Sequence, residues 1–270
     1  MKRIIWWLIA IAGVCVFGLI IWNATRAPQS QPATMTPPAP RSEPPPPPAM
    51  PAEPEIRYPV PDRPPEKPLP ALDTSDSTLK NALTEMPGGN SLIEILVLKN
   101  FVRRVVATVD NLPAKRIVWR VMPVERTPGT FEVKGNNRQA TIAAENAARY
   151  ARYVKLAEAV DSDALAALYF HYYPLFQQAY RDLGYPKGHF NDRLIEVIDH
   201  LLAAPELQAP VALVRPKVFY LYADPELEAR SAGQKILMRM GAENAVRIKA
   251  KLREFRARAV DHAAPAAGLK

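Results

Sequence analysis

Residues 190–203 read Phe190-Asn191-Asp192-Arg193-Leu194-Ile195-Glu196-Val197-Ile198-Asp199-His200-Leu201-Leu202-Ala203, and this stretch decides how the chain is understood. Leu194, Val197, Ile198, Leu201 and Leu202 recur at the spacing that lines one side of an α-helix, so this segment is a helix with a buried face. Asn191 stands where a cap belongs, and Gly184-Tyr185-Pro186 ends whatever helix precedes it. Working outward, the same grammar repeats. Asp224-Pro225 pairs an N-cap with a first-turn proline, opening a helix over 226–240 that Gly241 closes, and a last helix follows over 243–260. Upstream, residues 147–160 and 164–183 are helical, with Asp161-Ser162-Asp163 capping the second and Pro174 kinking or dividing it. Residues 92–109 hold no breaker and predict one mostly buried helix. Leu79, Ala82, Leu83 and Met86 mark another, stopped by Pro87-Gly88-Gly89. Residues 117–124 and 130–133, split by Pro128-Gly129, are the only strand-like piece and predict short extended segments or a hairpin. The fold class expected is mainly α: a helical globular domain over 72–262 with a small β-hairpin-like segment, and a disordered tail over 263–270.

The first quarter of the chain differs in kind. Of its 29 prolines, 18 fall between Pro28 and Pro70, a composition that cannot bury a core, so residues 23–71 are expected to be a disordered, semi-rigid linker. A docking ligand for a domain that reads PxxP is the alternative. Ahead of it, residues 4–22 (IIWWLIAIAGVCVFGLIIW) carry no charge and match the roughly 20 residues that span a bilayer, predicting one transmembrane helix. A cleaved signal peptide is the rival, disfavoured by the poor site at Asn23-Ala24-Thr25-Arg26-Ala27-Pro28. Cys15 lies mid-segment behind the bulky Val14 and reads as a small apolar residue, and as the sole cysteine it excludes a disulfide framework. Lys2 and Arg3 precede the span, so residues 1–3 are expected in the cytoplasm and the domain in the periplasm, as a single-pass inner-membrane protein.

Four blocks carry a resemblance. They are Phe101-Val102-Arg103-Arg104-Val105-Val106-Ala107-Thr108-Val109-Asp110-Asn111-Leu112-Pro113; Tyr173-Pro174-Leu175-Phe176-Gln177-Gln178-Ala179-Tyr180 with Leu183-Gly184-Tyr185-Pro186; Phe190-Asn191-Asp192-Arg193 with Val197-Ile198-Asp199-His200-Leu201-Leu202; and Ser231-Ala232-Gly233-Gln234-Lys235 to Gly241. In these the chain resembles DUF3014, a bacterial family defined as a domain of unknown function. The likeness spans about residues 72–258 and, in outline, the apolar segment and arm. It implies no activity.

Candidate sites are few. Tyr185, His189, Asn191, Asp192 and Arg193 cluster at the head of the 190–203 helix and are the expected binding residues. Asp192, Glu196 and Asp199 share a face there, so a metal held by His189, Asp192 and Glu196, or a paired-carboxylate enzyme site, is conceivable. Caps and dipole partners account for the same residues, and neither a metal nor a cofactor is expected. Seven of the ten tyrosines lie between Tyr150 and Tyr185, which suits core packing or, if exposed, a surface that stacks on sugars. In the last helix Ala245, Ile248, Leu252, Phe255 and Ala259 form a seam surrounded by Arg247, Lys249, Lys251, Arg253, Arg256 and Arg258. That pattern is either a basic surface for a polyanion or a packed helix with a solvated rim. No nucleophile elbow, P-loop, dinucleotide fingerprint or Cys/His metal set is present, which weighs against an enzyme. The function expected is a membrane-anchored scaffold displaying a helical domain to an envelope protein or the cell-wall polymer, with no nucleic acid. A periplasmic enzyme and a cytoplasm-facing membrane adaptor are the alternatives.

Overall fold

Local signals place most helices, and contacts from distant parts of the chain set where several begin and end. The computed structural model describes residues 55–61, 68–136 and 139–263. Helix α1 (Asp76–Glu85) follows a 3-10 turn, and α2 (Gly89–Ile93) follows Gly88, whose φ of +80° belongs to glycine. The apolar run over 92–109 is not one helix. Helix α2 stops at Ile93, Leu96 bridges to Val124, and Asn100 in a left-handed conformation (φ 54°) leads into α3, which spans Phe101–Asn111. The Asp76 carboxylate holds that start by accepting the N–H groups of Asn100 and Phe101 at 2.7 and 2.9 Å.

Helix α4 (Asn146–Ala159) leads to α5 (Ser162–His171), where the Asp161 side chain caps Ala164 N–H at 2.7 Å. Pro174 divides the expected long helix, falling in the first turn of α6 (Tyr173–Asp182) where its missing N–H costs nothing. Helices α7 (Phe190–Leu202), α8 (Pro225–Glu228), α9 (Ala232–Arg239) and α10 (Ala242–Asp261) complete the set among the described residues. The single expected helix over 226–240 is thus two, because Ser231 caps α9 from its own side chain.

Helix α10 lies across α4, α5 and α7, and α3 packs on α6 and α7. The main core takes Val102, Val106, Phe176, Phe190, Val197 and Leu201 from α3, α6 and α7, and Leu79 from α1. The middle of the tyrosine-rich stretch faces inward: Tyr169, Tyr172 and Tyr180 are all buried, and the Tyr169 ring meets Phe176, Phe255 and Tyr173 within 5.4–5.8 Å, whereas Tyr185 is exposed.

The hairpin-like segment is corrected to a four-stranded antiparallel sheet. Strands β1 (Val133–Lys134), β2 (Ala140–Ile142), β3 (Ala212–Val214) and β4 (Leu221–Tyr222) run in that order, with Val133 opposite Ile142, Ala140 opposite Leu213 and Leu213 opposite Tyr222. Residues 117–124 supply a 3-10 turn and one bridge, Leu96 to Val124, instead of a strand. Strands of two or three residues are too short to show alternation, so β3 and β4 left no periodic signal. Their inward side chains, Leu213 and Tyr222, form a second small core with Ala140 and Met238.

The transmembrane helix, the single-pass inner-membrane topology and the periplasmic placement are not upheld. Among the described residues no helix is long and apolar enough to cross a membrane. The longest, α10, has 20 residues but carries charged side chains through its length. Residues 4–22, from which that expectation came, lie outside the described residues. The membrane-anchored scaffold and membrane-adaptor readings fall with it, as do the inner-membrane, envelope-protein and cell-wall partners. What stands is a mainly α-helical domain with a small sheet.

Candidate functional site

The head of α7 is built by a glutamine from another helix. Gln177, buried on α6, donates from Nε2 to the Gly188 carbonyl at 2.7 Å, and its Oε1 accepts Phe190 N–H at 2.8 Å and the Tyr173 hydroxyl at 2.9 Å. Burial pushes the Tyr173 phenol up to about 12, so it remains a donor across the neutral range. Phe190 is wholly buried and stacks on Phe176 at 5.9 Å, an anchor of roughly 2–3 kcal/mol by the burial of such a ring. Gly188 allows the approach, since a Cβ there would stand 2.8 Å from the Tyr180 ring.

Gln177 takes the Phe190 N–H and the helix begins at that residue, so Asn191 is not the cap its position in the sequence predicts. His189 occupies the N-cap, with no side-chain cap bond, and Asn191 lies within the first turn with its amide fully buried. Its Oδ1 accepts the Tyr169 hydroxyl at 3.2 Å, and burial holds that phenol well above its ordinary range and therefore protonated. Its Nδ2 donates to the backbone carbonyl of Tyr58 at 2.9 Å. Asp192, next along, accepts two consecutive backbone N–H groups, Arg57 at 3.0 Å and Tyr58 at 2.8 Å. Two side chains of one helical turn therefore grip a segment of the proline-rich arm by its backbone.

That segment bends at Arg57 and Tyr58. Tyr58, Pro59 and Val60 are half-buried while Glu55, Ile56, Arg57 and Pro61 stay exposed. The Tyr58 phenol also interacts with Arg256 of α10. The Arg256 guanidinium is held above its ordinary pKa chiefly by Asp199, which it meets at 2.5 and 2.9 Å, and in smaller part by this phenol.

The other expected site residues face a different neighbour. Arg193 directs Nε to Asp110 Oδ1 and Nη2 to the Asp110 carbonyl, both at 3.1 Å, and Nη1 to Glu196 at 3.1 Å. Tyr185 donates to Asp110 Oδ2 at 3.1 Å and stacks on Tyr180 at 4.6 Å; the carboxylate beside it raises the phenol and keeps it protonated. Asp110 thus ties the end of α3 to α7. The periplasmic-enzyme reading of His189, Asp192 and Glu196 is not carried further: Asp192 is committed to the arm and Glu196 to Arg193. Among the described residues no group of three His, Cys, Asp or Glu side chains is placed to hold a metal ion.

The cations of α10 are mostly paired. Arg247 meets Glu158, with Nε 2.6 Å from Oε1, and Arg258 meets Asp163 at 2.7 Å. Lys251 donates to the Val160 carbonyl, Ser162 and Glu254 at 2.7–3.0 Å. Lys249 is buried, donating to the Ala204 carbonyl at 2.6 Å and to Glu206 at 3.1 Å. Arg253 stands exposed. The basic residues around the seam serve largely to fasten α10 to α4, α5 and the segment after α7.

Arg57, Tyr58 and Gln177 were missed as site residues. One signal was there to be read, since Tyr58 is the sole aromatic residue between Asn23 and Ala71. An aromatic ring in an otherwise proline-rich, polar spacer has nothing to do unless it docks.

No curated protein and no solved structure matches the chain. The model of one family does, over residues 101–256, and that span contains Gln177, Asn191, Asp192 and Arg256, the groups that build the site and hold Tyr58. The match extends over more than half of the 270 residues, and the chain belongs to DUF3014, a family described as proteins of unknown function.

Proposed function

We propose that this domain is a peptide-recognition module that holds a short bent segment of chain by its backbone, and that residues 57–60 of its own arm occupy the site in cis. The observation that carries the reading is the three-bond grip of Asn191 and Asp192 on Arg57 and Tyr58. A hydrogen bond to an ionised carboxylate contributes about 1.5–3 kcal/mol, and a neutral one about 1 kcal/mol. Contacts to backbone groups accept many side chains but require an N–H at both gripped positions. The arm supplies that at Arg57-Tyr58, between Pro54 and Pro59. Supporting the reading further, Asn191 is wholly buried, and without the arm its Nδ2 would lose the Tyr58 carbonyl as acceptor.

Trypsin tests it on the full chain. The bond after Arg57 is cleavable, whereas Arg63 and Lys67 each precede a proline and resist. Cleavage at Arg57 tracks the fraction of time the segment is released. Asp192→Asn keeps the shape and loses the charge, and is expected to speed that cleavage at least tenfold with little change in thermal stability, since one of the two bonds to the arm is lost and the other becomes neutral, a loss of ~1.4 kcal/mol or more. An unchanged rate in a folded variant would overturn the proposal.

A further inference from the structure

The grip on the arm also defines what else would fit. We propose that residues 57–60 are a displaceable resident ligand, and that the site takes in trans a partner peptide of one pattern: two non-proline residues, the second tyrosine, followed by proline. This rests on the peptide-recognition reading above.

Each element of the pattern has a cause in the geometry. The Asp192 carboxylate accepts from both gripped residues, so neither is proline, which has no N–H to give. The second residue is tyrosine because its ring is half-buried in the site and its phenol lies within electrostatic reach of the Arg256 guanidinium, which Asp199 holds through two contacts; phenylalanine would bring no oxygen there. The third residue needs no donor, since Pro59 of the resident segment has no N–H to give. A proline there also restricts the tyrosine before it to extended or turn conformations, which lowers the entropy lost on docking. Asn191 completes the set by donating to the tyrosine carbonyl, and its own Oδ1 is fixed by Tyr169 so that the amide cannot turn away.

Displacement follows from size. Three backbone hydrogen bonds and one half-buried ring make a weak site, and the cis segment holds it through its tether to the domain, only six residues separating Pro61 from Pro68. A short tether gives an effective concentration in the millimolar range, which a partner of higher intrinsic affinity or several copies of the pattern overcomes. While the arm is seated, the apparent affinity for any partner is lowered by the fraction of sites that are open.

The test uses the full chain and a fluorescein-labelled peptide, Glu-Ile-Arg-Tyr-Pro-Val-Pro, copied from residues 55–61. The double variant Arg57→Pro/Tyr58→Pro empties the site without touching any residue that lines it. Fluorescence anisotropy is expected to show the peptide binding this variant about tenfold more tightly than the wild-type chain. The Tyr→Phe peptide should bind about fivefold less well, consistent with loss of one polar contact of about 1 kcal/mol, and a peptide with Pro-Pro in place of Arg-Tyr should not bind. Equal affinity for variant and wild type overturns the idea of a resident competitor. Equal binding of the Phe peptide overturns the tyrosine requirement. No binding to the emptied variant, while the wild-type arm remains protected from trypsin, overturns the trans ligand and leaves the cis grip standing; loss of that protection would remove the peptide-recognition reading itself.

Discussion

Asn191→Ala separates the two jobs of the residue that joins the core to the arm. In the folded chain Asn191 makes two hydrogen bonds from a wholly buried position, one accepted from Tyr169 and one donated to Tyr58. Truncation removes the bond to the arm, about 1 kcal/mol net, and strands the Tyr169 hydroxyl in the interior, a desolvation cost of about 1–3 kcal/mol. Global stability should therefore fall by roughly 2–3 kcal/mol, most of it from the orphaned phenol. Tyr169→Phe made on top of Asn191→Ala removes the orphan, so the double variant is expected to be less destabilised than the sum of the single ones by about 1 kcal/mol or more. Urea denaturation at constant slope measures that coupling. Release of the arm, read by trypsin cleavage after Arg57, should increase in Asn191→Ala and in the double variant, and increase less in Tyr169→Phe, which frees the amide to turn but keeps its donor to Tyr58. Strict additivity in stability would refute the buried Tyr169–Asn191 bond. An arm loosened as much by Tyr169→Phe as by Asn191→Ala would refute the division of labour.

Three further outcomes are expected. Gly88→Ala should destabilise the chain by about 2 kcal/mol or more in denaturant melts, because the position has φ +80° and a Cβ would lie 2.2 Å from the Ala159 carbonyl oxygen. Lys249→Ala should cost about 3 kcal/mol and Lys249→Met distinctly less, since both orphan the Ala204 carbonyl but methionine keeps the buried stem; equal costs would show that packing of the stem contributes little. Burial pushes the phenols of Tyr173, Tyr180 and Tyr222 up to about 12, so their protonated forms favour the folded state. The stability they support is complete below the ordinary tyrosine value near 10 and is lost as pH rises towards about 12. Tyrosinate absorbance at 295 nm should accordingly rise in two phases, the later one coinciding with loss of helical circular dichroism, whereas a single phase with helix retained would contradict the burial.

What the sequence determined by itself is where most of the helical stretches lie and which faces of them are buried. The spacing of Leu194, Val197, Ile198 and Leu201 predicts α7, and the seam from Ala245 to Ala259 predicts α10, because helical periodicity links residues only three or four apart. Caps such as Asp161 and Asp224 were legible for the same reason: donor and acceptor lie within three residues. The tertiary structure decided everything that depends on distant partners. The run over 92–109 is interrupted because Leu96 pairs with Val124, 28 residues on, and α3 starts where Asp76 catches the Asn100 N–H from 24 residues away. Asn191 falls inside the helix and not at its cap, since the helix begins at Phe190, whose N–H is held by Gln177, 13 residues earlier. The cations of α10 look like one basic surface until Glu158, Asp163, Asp199 and the Ala204 carbonyl are brought against them. Asp192 becomes a peptide contact through a carboxylate meeting an N–H 134 residues earlier in the chain. Periodicity carries no information about such pairs, since their meeting is fixed by how whole helices pack and not by what stands beside each residue in the sequence.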